Sequence, residues 1–101
     1  MAKVICVDID GTLTKEICWC PEQCLDAEPR QDVIDKVNSL GHEYWVILYT
    51  ARTDELIPAT LKWLRKHSVR YHAISNNKIP TDIGYVDDKS LSIEDFLKGD
   101  W

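Results

Sequence analysis

The sequence predicts an α/β domain, a three-layer sandwich built on a parallel sheet of about four strands with the first strand central. Three observations lead there. Short apolar runs rich in β-branched and aromatic residues alternate with segments of helical spacing, the pattern of parallel strands joined by crossover helices. The run from Tyr44 to Tyr49 is apolar throughout, as strands covered on both faces are. Polar and charged residues stand directly after several of the runs, where open α/β sheets place their sites.

Taken in order, Lys3–Ile9 reads as a buried strand with β-branched residues dominating, and Asp10-Gly11 ends it with a turn signal. The stretch from Thr12 to Glu28 has no clear period and carries three cysteines, Trp19 and Pro21; it reads as a loop or flap. Pro29 suits a first helical turn, Val33, Ile34, Val37 and Leu40 follow at helical spacing, and Gly41 terminates the helix. Tyr44–Tyr49 is the second strand. Leu56, Ile57, Leu61 and Leu64 predict a second amphipathic helix that starts near Ile57, because Pro58 belongs in a first turn. His72–Ser75 and Ile83–Val86 are two further short strands. Ser92 with Asp95 resembles a capping box for a last helix to about Lys98.

The 101 residues, 45% hydrophobic with four Trp and four Tyr, suffice for one domain with its own core. No linker, internal repeat or low-complexity tract divides residues 1–101. A formal net charge of −5 argues against a nucleic-acid surface, which needs clustered Lys and Arg. No stretch approaches the ~18 apolar residues of a membrane span, and the Val4–Ile9 run is too short and too acidic for a signal-peptide core. A cytoplasmic protein with reduced Cys6, Cys18, Cys20 and Cys24 is expected.

Asp8 and Asp10 leave the first strand, Thr50 ends the second, Lys78 follows the third, and Asp87-Asp88 ends the fourth. Acids, a hydroxyl and an ammonium are thereby gathered on one sheet edge from four segments. That combination suits phosphoryl transfer. A magnesium ion bound by hard oxygen ligands would offset the repulsion between carboxylates and a phosphate ester. Two acids at i and i+2 of an extended strand point the same way, so one carboxylate can attack phosphorus while the other moves protons. Gly11 lets the backbone come close, and Thr50 and Lys78 offer a hydroxyl and a point charge to the transferring oxygens.

Asp8-Ile-Asp-Gly-Thr12 resembles the first signature of the haloacid dehalogenase superfamily. Thr50 in Leu48-Tyr-Thr-Ala-Arg52 resembles the second, Lys78 the third, and Val86-Asp-Asp-Lys-Ser90 the fourth, in matching order over nearly the whole chain. The resemblance implies Asp8 as nucleophile and metal ligand. It implies Asp10 as general acid/base whose main-chain carbonyl also ligates Mg2+, and Thr50 with Ala51 and Lys78 as phosphate binders. Asp87 and Asp88 complete the metal site, with Asp88 the favoured direct ligand. Gly41-His-Glu and Thr50-Ala-Arg further resemble small capless members associated with bacterial capsule and sugar-phosphate metabolism. A small phosphorylated substrate follows, shielded by its own size or by a neighbouring subunit, since the flap is too short to be a lid.

Other readings compete. Arg52 could hold a substrate anion bidentately or pair with Asp54 or Glu55. Cys18, Cys20 and Cys24 invite a zinc site with His42 or another group as fourth ligand, but C-x-C-x3-C lacks the usual paired C-x2-C knuckles, so a reduced flap is expected. Trp45 and Trp63 fall on core or core-edge positions, and Trp19 is the tryptophan expected near the substrate. A phosphatase of nucleotides or polynucleotide ends is the first rival function. A phosphorylatable regulatory module is the second, though it would have no use for Asp10.

Overall fold

The computed structural model describes residues 3–40, 43–76, 84–86 and 92–99. Four strands, β1 (Lys3–Asp8), β2 (Tyr44–Tyr49), β3 (Ala73–Ser75) and β4 (Gly84–Val86), form one sheet in the order β3-β2-β1-β4 with every pairing parallel. The first strand is therefore interior, as expected. Ile5, Cys6 and Val7 of β1 and Val46, Ile47 and Leu48 of β2 are all buried. Consecutive buried residues mean that both faces are covered, which is why these strands read as unbroken apolar runs.

The helices are α1 (Pro21–Asp26), α2 (Gln31–Ser39), α3 (Ile57–Lys66), which follows a 3-10 turn at Asp54–Leu56, and α4 (Ile93–Lys98). The chain is thus a small α/β domain. α1 packs against α3, and α2 against α4. In α2, Val33, Ile34 and Val37 are buried as their spacing predicts. In α4, the Asp95 N–H donates to Ser92 Oγ at 3.1 Å, Phe96 fills the core, and Gly99 closes the end at φ +80°.

Several expectations need correcting. Pro29 is not in a first helical turn, because α2 begins at Gln31. Instead Pro29 bridges antiparallel to Thr14, flanked by bonds from the Lys15 N–H to the Glu28 carbonyl (2.9 Å) and from the Arg30 N–H to the Leu13 carbonyl (2.7 Å). A residue without an N–H fits the non-donating place in such a bridge, and the bridge cinches the base of the flap. The flap is also not all loop. Pro21 in its first turn and the acidic Glu22 start α1, and Cys18 and Cys24 sink into the core.

The buried face of α3 is Ala59, Thr60, Trp63 and Leu64, whereas Leu61 is exposed. The Trp63 indole N–H donates to the Ala27 carbonyl at 2.9 Å, which rotates the core-facing stripe toward the end of the flap. Trp45 is 54% exposed and stacks on His72 at 5.2 Å, so it is a surface residue and not a core one. Gly41, His42, Trp101 and the residues just before β4 lie outside the described residues.

Candidate functional site

β1 delivers Asp8 to the carboxyl edge of the sheet, opposite Tyr49 in the β2 register. The chain then winds around a single acceptor: the N–H groups of Thr12, Leu13 and Thr14 all converge on the Ile9 carbonyl at 2.9–3.2 Å. Gly11 makes the winding possible at φ +77°. A Cβ there would meet nothing within 4 Å, so backbone conformation and not space requires glycine. The Gly11 N–H donates to Thr14 Oγ1 at 3.2 Å. Asp10 therefore stands in this turn, not in the strand, since β1 ends at Asp8. The two acids nevertheless line the same cavity.

That cavity has a volume of about 520 Å³. Asp8 comes to it from the end of β1, Asp10, Gly11 and Thr12 from the first loop, Ile17 and Trp19 from the flap, and Ala51 and Arg52 from the segment after β2. Thr50 is fully buried. Its N–H donates to the Ser75 carbonyl (2.9 Å) and its Oγ1 accepts the Arg52 N–H (3.0 Å). Asp8, Asp10, Ala51 and Arg52 are thus brought together, with Thr50 adjoining. Lys78, Asp87 and Asp88 lie outside the described residues.

Arg52 pairs with neither Asp54 nor Glu55 as its nearest neighbours in sequence suggested. Its guanidinium folds back onto Asp10, with Nη2 to Oδ1 at 2.8 Å and Nε to Oδ2 at 3.0 Å, a two-pronged ion pair. Nη1 donates to Thr60 Oγ1 (2.7 Å), and that hydroxyl donates to the Leu56 carbonyl (2.7 Å). The Cys18 N–H adds a bond to Asp10 Oδ1 at 3.1 Å. The first loop and the flap thus meet on the Asp10 carboxylate, and Arg52 links it to α3 through Thr60. Burial pushes the Arg52 pKa down, but the hydrogen bonds and charge of Asp10 outweigh it, and the net shift is upward. The guanidinium remains charged.

Burial pushes the Cys18 thiol up to about 11, with nearby Arg52 pulling the other way, and it also raises Cys24; the two thiols are hydrogen-bonded neighbours. Among the described residues no group of three His, Cys, Asp or Glu side chains is placed to hold a metal ion. The partnership of Arg52 with Asp10 escaped the sequence reading. Its signal, a basic residue at the strand edge facing an acidic loop, exists only once β1 and β2 are paired.

No protein-family model and no curated protein matches the chain. Among solved structures, a conserved protein of Bacteroides thetaiotaomicron superposes with a TM-score of 0.72 at 19% identity, covering 100% of this chain and 93% of that one. A chain of the Pnkp1/Rnl/Hen1 RNA repair complex superposes with a TM-score of 0.63 at 16% identity, covering 98% of this chain and 30% of its own length. At such identities the shared property is the fold, a distant structural relationship. Among the described residues no helix is long and apolar enough to cross a membrane.

Proposed function

We propose that the chain is a magnesium-dependent phosphomonoester hydrolase of the haloacid dehalogenase type, a capless three-layer sandwich that works through an aspartyl phosphate on Asp8. The observation that carries the reading is the meeting of Asp8, Asp10 and the Thr50-Ala-Arg52 segment at one cavity on the carboxyl edge of a parallel sheet. A carboxylate oxygen of Asp8 forms a bond to phosphorus as the ester P–O bond breaks. Asp10 gives the departing alkoxide a proton. Water then attacks the acyl phosphate and passes a proton back to Asp10, which releases inorganic phosphate and restores Asp8. Oδ1 of Asp10 takes bonds from Arg52 and Cys18, whereas Oδ2 takes only the Arg52 Nε–H among the described residues. Oδ2 is the less engaged of the two oxygens.

The donors fit magnesium as far as the described residues reach. The Asp8 carboxylate and the Asp10 carbonyl are hard oxygens, while the Asp10 carboxylate is engaged by Arg52. Asp87, and above all Asp88, would complete the set, and Lys78 would join Thr50 and Ala51 on the phosphate. When bound, the ion supplies positive charge to the phosphoryl oxygens. The substrate is a small phosphorylated metabolite, with sugar phosphates the class that the resemblance suggests.

The test is phosphate release from p-nitrophenyl phosphate. Magnesium-dependent release that EDTA abolishes and added Mg2+ restores, lost in Asp8→Asn, is the expected outcome. Full activity in metal-free buffer, or an active Asp8→Asn variant, refutes the reading. A regulatory module that only accepts phosphate would show one phosphoryl group per chain and no turnover.

A further inference from the structure

Trp19 is 78% exposed, the most exposed of the large hydrophobic side chains among the described residues, and yet it lines the cavity that holds Asp8. Ile17, 57% exposed, lines it too. An indole and a sec-butyl group are thereby left in water beside the two acids, where an apolar or aromatic group of a ligand would cover them. Nor is Trp19 on a loose tip. Its N–H donates to Gln23 Oε1 of α1 at 2.7 Å, and the N–H of the preceding residue, Cys18, holds Asp10 at 3.1 Å. The platform is therefore tied, through one peptide, to the acid that would protonate the leaving group.

Charge narrows the occupant further. Among the described residues lining the cavity, Arg52 is the only cation, and its guanidinium is already engaged by Asp10 and Thr60. Among the described residues, a second phosphate or a carboxylate on the substrate would find no uncommitted cation there. Ile17, Trp19 and Leu56 instead present an apolar wall beside the reacting end. At about 520 Å³ the cavity lies within the usual range for small-ligand sites and has room for a ring beyond the phosphoryl group.

We propose that Trp19 is a specificity-determining stacking platform, so that the preferred substrate is a phosphomonoester whose alcohol carries a flat, uncharged aromatic ring. This rests on the phosphatase reading above, and it favours such esters over the compact sugar phosphates that the resemblance suggested. Stacking a ring on an aromatic side chain is worth about 5- to 140-fold in affinity.

Phosphonates, which cannot be hydrolysed, test the subsite without relying on turnover. Dissociation constants of benzylphosphonate and methylphosphonate are measured by calorimetry on the full chain with Mg2+. Tighter binding of the benzyl compound by at least about 5-fold is expected, with the preference erased in Trp19→Ala and largely kept in Trp19→Phe. The exposed position makes both variants safe for folding. Equal affinities, a preference that survives Trp19→Ala, or no binding of either phosphonate overturns the proposal. Turnover of p-nitrophenyl phosphate separately decides whether the phosphatase reading stands. Adenosine 5′-monophosphate and phenyl phosphate, compared as substrates, then distinguish a nucleobase from a simple aryl ring as the group that stacks.

Discussion

Replacing Arg52 by Met should destabilise the chain severely while leaving the shape of the side chain nearly intact. The Arg52 side chain is 2% exposed and that of Asp10 17%, so the variant strands a carboxylate in a mostly dry setting. Breaking a buried pair by removing one partner costs about 3–5 kcal/mol. Asp10 opens on the cavity, where water can reach it, and the Cys18 N–H still bonds it, so the lower end applies, about 3 kcal/mol. Thr60 loses the guanidinium but keeps the Leu56 carbonyl and adds little. For a domain of this length, 1 kcal/mol shifts the melting temperature by about 4–8 °C, which predicts a fall of roughly 10–25 °C. Urea unfolding followed by circular dichroism gives the free energy directly. In a double-mutant cycle with Asp10→Asn, the two changes should couple by about 2 kcal/mol. Arg52→Lys should recover less than half of the loss, because an ammonium cannot reproduce the two-pronged geometry. A cost under about 1 kcal/mol for Arg52→Met, or a coupling under about 0.5 kcal/mol, would refute the claim that this pair locks loop, flap and helix together.

Asp10→Asn should lower turnover by about 10²–10⁴-fold yet still allow Asp8 to be phosphorylated by p-nitrophenyl phosphate, whose leaving group needs no proton. Mass spectrometry of rapidly quenched protein should show the added phosphoryl group in Asp10→Asn and never in Asp8→Asn; its presence in the latter excludes Asp8 as nucleophile. Native protein treated with a chromogenic disulfide reagent at pH 8 should react quickly at the half-buried Cys20 alone, with the buried Cys6, Cys18 and Cys24 reacting only in denaturant. Burial raises Cys6 and Cys18 from 9.0 to about 11 in the folded chain, so the neutral thiols support the fold fully below pH 9, and that support is lost as pH rises through 11. The urea midpoint should accordingly drop between pH 9 and 11; a midpoint that rises over that interval contradicts the assignment.

Much of the sheet was readable from residues alone because its strands are covered on both faces. Ile5 to Val7 and Val46 to Leu48 are buried without alternation, and no helix of that length competes for such a pattern. The position of Asp8 and Asp10 at the sheet edge followed from the same strand. The flap was less legible. α1 is only six residues long, too short for a periodic stripe, and Cys18 and Cys24 are buried by contacts with elements distant in sequence. The α3 stripe was displaced because Trp63 follows its hydrogen bond to Ala27, a tertiary partner that no local spacing encodes. Arg52 posed the same difficulty more sharply. Two acids stood within three residues of it, but burial favoured the one 42 positions away.

The strand order has a consequence for how the molecule is made. β1 supplies Asp8, but its neighbours in the sheet are β2 and β4, and Val7 meets Val86, nearly the full chain length away. During synthesis β1 emerges before either neighbour and cannot complete its ladders until Val86 has left the ribosome. Pairings so distant in sequence close slowly, and a strand with both edges open can meanwhile pair with another chain. The strand bearing Asp8 is thus the one whose edges wait longest for cover. Expression at low temperature or slowed translation should raise the soluble yield, and changes in β4 should act on that yield before they act on chemistry.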